Sequence, residues 1–133
     1  MKRNLLMTNS SPEQAQAPWP VELSLSPNKA ILSVSFNTGD VFHLDAELLR
    51  VEAPSADVQG HGADQKQTPH GKRHVTIHSI EPVGHYAVRL TFSDGHSTGL
   101  YTWETLYRYG QNAPTMMADY LSRLEAMGLA RDR

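Results

Sequence analysis

Phe92-Ser93-Asp94-Gly95-His96-Ser97-Thr98-Gly99-Leu100-Tyr101-Thr102-Trp103-Glu104-Thr105-Leu106 decides the fold of this chain. It reads as the end of a strand, a tight turn, a return strand, and a helix opening at Trp103. Ser93-Asp94-Gly95 is turn chemistry, with Gly95 free to take a positive φ. Thr102 suits a helix N-cap, although Thr105 stands where a capping box wants Glu or Gln. An earlier stretch echoes this one. Val34 matches Leu90, Phe36 matches Phe92, Gly39 matches Gly95 and Leu44 matches Leu100; one inserted residue later, Glu47 matches Glu104 and Leu49 matches Leu106. Two units of this kind suit pairing about a pseudo-two-fold axis and are too few for a solenoid.

Working outward, Val21–Ser26 and Ala30–Phe36 alternate apolar and polar residues, the pattern of half-buried strands. Asn37-Thr38-Gly39-Asp40 is a hairpin loop, Val41–Leu44 returns, and Ala46–Val51 makes one or two helical turns. Arg73–Ile80 alternates again, Glu81-Pro82-Val83-Gly84 reads as a turn, and His85–Phe92 as a strand. Gly110 is expected to end a short helix as its C′ residue. A last helix over Ala113–Met127, with Gly128 as its stop, carries Met117, Tyr120, Leu121 and Leu124 at helical spacing. The expectation is an α+β fold: an antiparallel β-sheet module of about six strands, short helical turns after two hairpins, and a C-terminal helix on one face. Residues 1–20 read as a disordered tail, with Trp19 as its anchor; 21–128 form the domain and 129–133 a second tail. Residues 59–72 make a loop longer than most connections.

A chain of 133 residues suits one domain with a real core. A net charge of −2 gives no general attraction to nucleic acid or to anionic membranes. Cysteine is absent, so this chain offers no disulfide, thiolate nucleophile or iron–sulfur ligand. After Lys2 and Arg3, the apolar run Leu5-Leu6-Met7 is too short for a signal peptide. No stretch approaches a membrane span. A cytoplasmic location is expected.

Ile80-Glu81-Pro82-Val83-Gly84, Tyr86-Ala87-Val88-Arg89-Leu90 and the stretch from Phe92 to Trp103 resemble the γ-butyrobetaine hydroxylase-like N-terminal domain family, catalogued in bacteria as domain of unknown function 971. Leu48-Leu49-Arg50-Val51, Pro54-Ser55-Ala56-Asp57-Val58 and Gly60-His61-Gly62 are similar to it as well. The resemblance spans residues 21–110. In the family's carnitine-synthesis enzymes this domain precedes a 2-oxoglutarate and iron dioxygenase domain and holds zinc through three cysteines and a histidine. Carried over by motif, the cysteine places fall on Ala53, Ser55 and Val58, and the histidine place on His96. The resemblance thus implies a stand-alone bacterial scaffold without the thiolate staple, with the 53–58 turn beside His96. Related domains fused to iron–sulfur carrier ATPases imply, as an alternative, a link to iron–sulfur cluster assembly.

The residues themselves favour no reaction. His43-Leu44-Asp45 has the local spacing of an iron facial triad but lacks the triad's scaffold. No serine sits in a nucleophile elbow. No catalysis and no cofactor are expected. The expected role is that of an accessory or interaction module for a protein partner. His61, Lys72 and Arg73 in and beside the long loop, and Trp103 and Tyr107 in an aromatic cluster, are the interaction candidates. The alternative is a histidine-based metal site using His61 and His96.

Overall fold

The computed structural model describes residues 18–54, 68–97 and 99–132. The expectations for residues 1–17, Ser55, Val58 and His61, and for most of the 59–72 loop, lie outside the described residues. The elements are β1 (Pro20–Leu25), β2 (Ile31–Phe36), β3 (Val41–Asp45), α1 (Ala46–Val51), β4 (Ile77–Val83), β5 (Ala87–Phe92), β6 (Leu100–Thr102) and α2 (Trp103–Met127). The fold is α+β. Among the described residues, six strands divide into two three-stranded antiparallel sheets, β1-β2-β3 and β4-β5-β6, each followed by a helix.

The echo in the sequence is an echo in structure. Each hairpin tip is closed by the same two backbone bonds: Phe36 N–H to Asp40 O and Gly39 N–H to Phe36 O in the first, Phe92 N–H to His96 O and Gly95 N–H to Phe92 O in the second. Gly39 and Gly95 take φ of 94° and 92°, which only glycine adopts without strain. This is the three-residue hairpin loop that ends in a glycine bulge. β1 pairs Pro20 with Phe36 and then shifts register across Val21; β4 pairs Ile77 with Phe92 and shifts across His78. Both helices start on the same bond, from Ala46 N–H to Ala30 O and from Trp103 N–H to Tyr86 O. One match moves. Leu44 pairs with Leu32 and Tyr101 with Val88, so Leu44 corresponds to Tyr101, and the inserted residue lies between the second tip and β6.

Two local expectations change. Glu81, Pro82 and Val83 are the last residues of β4 and not a turn; β4 is an edge strand, where a proline's missing N–H costs no ladder bond. Gly110 does not end a helix. It lies inside α2, which runs unbroken through Pro114 to Met127. Glycine stands there because a Cβ would overlap the Phe42 ring, so Gly110 serves close approach and not chain reversal. The real stop is Gly128, with φ of 69° and its own N–H on the Glu125 carbonyl. Thr102 caps the start by accepting from Thr105 N–H at 3.1 Å.

One core joins both halves: Leu32, Val34, Phe36, Leu44 and Leu49 from the first, Ile77, Leu90, Phe92, Tyr101 and Leu106 from the second. Phe36, Phe42 and Tyr107 pack edge to face with centroids 5.0–5.9 Å apart, which fixes α2 over β2 and β3. A smaller cluster of Val51, Tyr120 and Leu124 seats the far half of α2 on α1, with Leu129 packed against it. Residues after the helix are held too. Gly71 N–H bonds Ala130 O, Arg73 N–H bonds Arg131 O, and Arg131 grips the buried Glu47 carboxylate with two bonds, of 2.6 and 2.9 Å.

Candidate functional site

Polar side chains converge at the second hairpin tip. The tight turn places Asp94 outward before Gly95, and its carboxylate accepts from three segments. Arg50 Nε of α1 lies at 2.7 Å, Lys72 Nζ at 2.6 Å, and the His96 backbone N–H at 3.0 Å. Partial burial pushes the Asp94 carboxyl up, but Lys72, the His96 N–H and Arg50 outweigh it and hold its pKa down at about 2. A hollow of about 280 Å³ beside this group is lined by Gly71, Lys72, His74, Val75, Ser93 and Asp94.

A second hollow, of about 470 Å³, lies between α2 and the end of α1, lined by Glu52, Pro54, Arg108, Tyr109, Asn112 and Met116. Its polar groups also serve the scaffold. The Tyr109 hydroxyl donates to Glu52 O at 2.6 Å, the Glu52 carboxylate pairs with Arg123 at 3.1 Å, and the Asn112 amide donates to Arg108 O. Burial, and next the Glu52 charge, push the Tyr109 hydroxyl up to about 12. Tyr101 donates to Leu49 O, and its burial raises its hydroxyl well above the ordinary phenol value. Tyr120 donates to Pro69 O at 2.8 Å and is pushed up to about 12, by burial first and by Glu47 next. At ordinary pH these phenols are neutral donors.

The predicted residues are placed as follows. Lys72 is on Asp94, and Arg73 pairs with Asp132 at 2.7 Å. The Trp103 indole donates to His85 O at 2.8 Å while its ring packs on the core. The Tyr107 hydroxyl donates to Asp40 at 2.6 Å, which lowers the Asp40 carboxyl and raises the phenol. His96 sits on the second tip, its ring tilted against Phe92. His43 and Asp45 are on the solvent face of β3, and His43 Nδ1 shares a 2.7 Å hydrogen bond with Ser33.

The place where the resemblance puts zinc is partly visible. A Cβ on Gly99 would lie 3.2 Å from Pro54 Cδ and 3.6 Å from Ala53 Cβ, so the turn after α1 does lie beside the segment after His96. The donors do not fit a four-ligand zinc site. Ala53 contributes a fully buried methyl group, and neither Ser55 nor Val58 can offer a thiolate. Among the described residues no group of three His, Asp or Glu could hold a metal ion. Among the same residues no helix is long and apolar enough to cross a membrane.

Sequence reading missed Arg50 and Asp94 as a pair, although the echo sets Arg50 level with Tyr107. It also missed the apolar end of the first sheet. Trp19 is 51% exposed, Val21 57% and Val41 53%. Trp19 is anchored as expected, but through its backbone, which trades hydrogen bonds with Asn37; the indole is left outward.

Residues 23–107, more than half of the chain, match the family model described as gamma-butyrobetaine hydroxylase-like, N-terminal. Two proteins with solution NMR structures are 40% and 43% identical to the chain, each with a TM-score of 0.75. The matches cover 85% and 89% of this chain and 89% and 88% of those chains. A crystal structure of a DUF971-family protein of unknown function from Acidithiobacillus ferrooxidans ATCC 23270 is 42% identical, with a TM-score of 0.56. That match covers 67% of this chain and 89% of the other. No curated protein matches.

Proposed function

The chain belongs to the gamma-butyrobetaine hydroxylase-like N-terminal (DUF971) family, and from that premise we propose that it acts as a non-catalytic accessory module that docks on a protein partner in the bacterial cytoplasm. The observation that carries this reading is the cluster of half-exposed apolar side chains, Trp19, Val21 and Val41, at the hairpin end of the first sheet. Apolar side chains left exposed side by side at one end of a sheet favour burial against another protein; Tyr86, Leu121 and Met127 are exposed elsewhere in the sequence. The polar groups of both hollows support the same reading from the other side. Asp94 is held by Arg50 and Lys72, and the Glu52 carbonyl by Tyr109, as parts of a scaffold would be.

The test is quantitative co-purification of the tagged chain with its native partner, compared with a Trp19→Ser/Val21→Ser variant. The expected result is a stoichiometric partner lost in the variant, with the thermal midpoint of the chain alone unchanged. Retention of the partner by the variant, or turnover by the isolated chain, would reject the proposal. Elemental analysis of the same preparations tests the iron–sulfur alternative, which requires iron or another bound metal.

A further inference from the structure

We infer that the two halves of the chain are copies that latch each other reciprocally, the same helix position in each copy holding the hairpin tip of the opposite copy.

The equivalence of the copies rests on geometry already described: matching tip bonds, matching bulges and matching bonds at the start of each helix. It extends one step further. Trp19 and Asn37 bond reciprocally, Trp19 N–H to Asn37 Oδ1 and Asn37 N–H to Trp19 O. Thr76 and Ser93, at the corresponding positions, do the same: Thr76 N–H to Ser93 Oγ and Ser93 N–H to Thr76 O. Thr38 and Asp94 correspond as well, each accepting the N–H two residues on, from Asp40 and from His96.

Within this frame Arg50 and Tyr107 are each the fifth residue of their helix. Arg50 leaves its own copy and meets Asp94, just before Gly95 of the second tip, at 2.7 Å. Tyr107 leaves its own copy and meets Asp40, just after Gly39 of the first tip, at 2.6 Å. Different chemistries, a guanidinium in one case and a phenol in the other, perform one geometric task on a carboxylate. A contact that survives such a change of residue type at equivalent positions belongs to the architecture of the duplicated fold. The second latch gathers more of the molecule. Through Lys72 it takes in the segment that is bonded to the C-terminal residues Ala130 and Arg131. Each tip is therefore ordered by the other half's helix, and a disturbance on one half is read at the far tip.

Amide hydrogen exchange measured by NMR on the full chain tests this. Tyr107→Phe removes one oxygen and is expected to speed exchange at Gly39 and Asp40 about tenfold, with Gly95 and His96 changed less than about twofold. Arg50→Met is expected to give the mirror result. A response confined to the mutated residue's own copy, or equal at both tips, would overturn the inference. Should Arg50→Met prove too unstable to fold, the near-isosteric Tyr107→Phe decides alone.

Discussion

Asp94 joins three chain segments, through Arg50, Lys72 and the His96 N–H. Its folded pKa of about 2 lies below the ordinary carboxyl value, so its ionised form stabilises the fold. That contribution is complete above about pH 4 and is lost as the pH falls through about 2. Water screens the charge pairs at this partly exposed turn, which brings the contribution to about 1 kcal/mol. Asp94→Asn is expected to lower stability by that order at pH 7, read from urea midpoints. The two proteins should converge at pH 2. A difference that persists undiminished there would mean that the charge is not the source. Aspartate in a Ser-Asp-Gly turn was legible as turn chemistry, and it does accept from the backbone of His96. Its ion pairs were not legible, because Arg50 and Lys72 stand 44 and 22 residues away, and nothing local in the sequence brings them to the tip.

Among the elements, α1 has only six residues, too few to stand alone in water. Its last carbonyls are the groups a helix end leaves without partners. Here two tyrosines answer them, Tyr101 on Leu49 O and Tyr109 on Glu52 O. Tyr101→Phe leaves a buried carbonyl without its donor and is expected to cost about 1–2 kcal/mol in denaturant unfolding. The meeting of α2 with β3 depends on Gly110. Gly110→Ala drives a methyl group into the Phe42 ring and is expected to cost about 1–3 kcal/mol; adding Phe42→Leu should recover part of the loss. The strands, the hairpins and the N-cap of α2 were readable because alternation, turn residues and Thr102 act over a few positions. The length of α2 was not, because a glycine that ends a helix and one that admits a neighbouring ring look alike in sequence. The division of the strands into two sheets was likewise hidden, since alternation gives each strand a buried face but names no neighbour. At the candidate site, Trp103 and Tyr107 read as one aromatic cluster, but the Tyr107 ring packs on Phe36 and Phe42, and the polar atoms of the two residues bind His85 O and Asp40.

At the scale of the whole molecule, the question is what replaces the metal staple that the family resemblance implies. The donor set at Ala53, Ser55 and Val58 is apolar or neutral, and Ala53 is packed into the core with Phe92 and Tyr101. Side chains of both halves share that one core, and the crossed contacts of Arg50 and Tyr107 tie each half to the other. Neither half has a core it could keep if the other opened. Unfolding is therefore expected to be a single transition, with calorimetric and van't Hoff enthalpies in agreement. If packing does the work of the staple, dialysis against a strong chelator should leave the thermal midpoint within about 1 °C, since removing a ligand shifts stability only when the native state binds it. Two separate transitions would show that the halves fold independently in spite of the shared core. A chelator-dependent fall in the midpoint would show that an ion, held by donors other than thiolates, still closes the turn after α1.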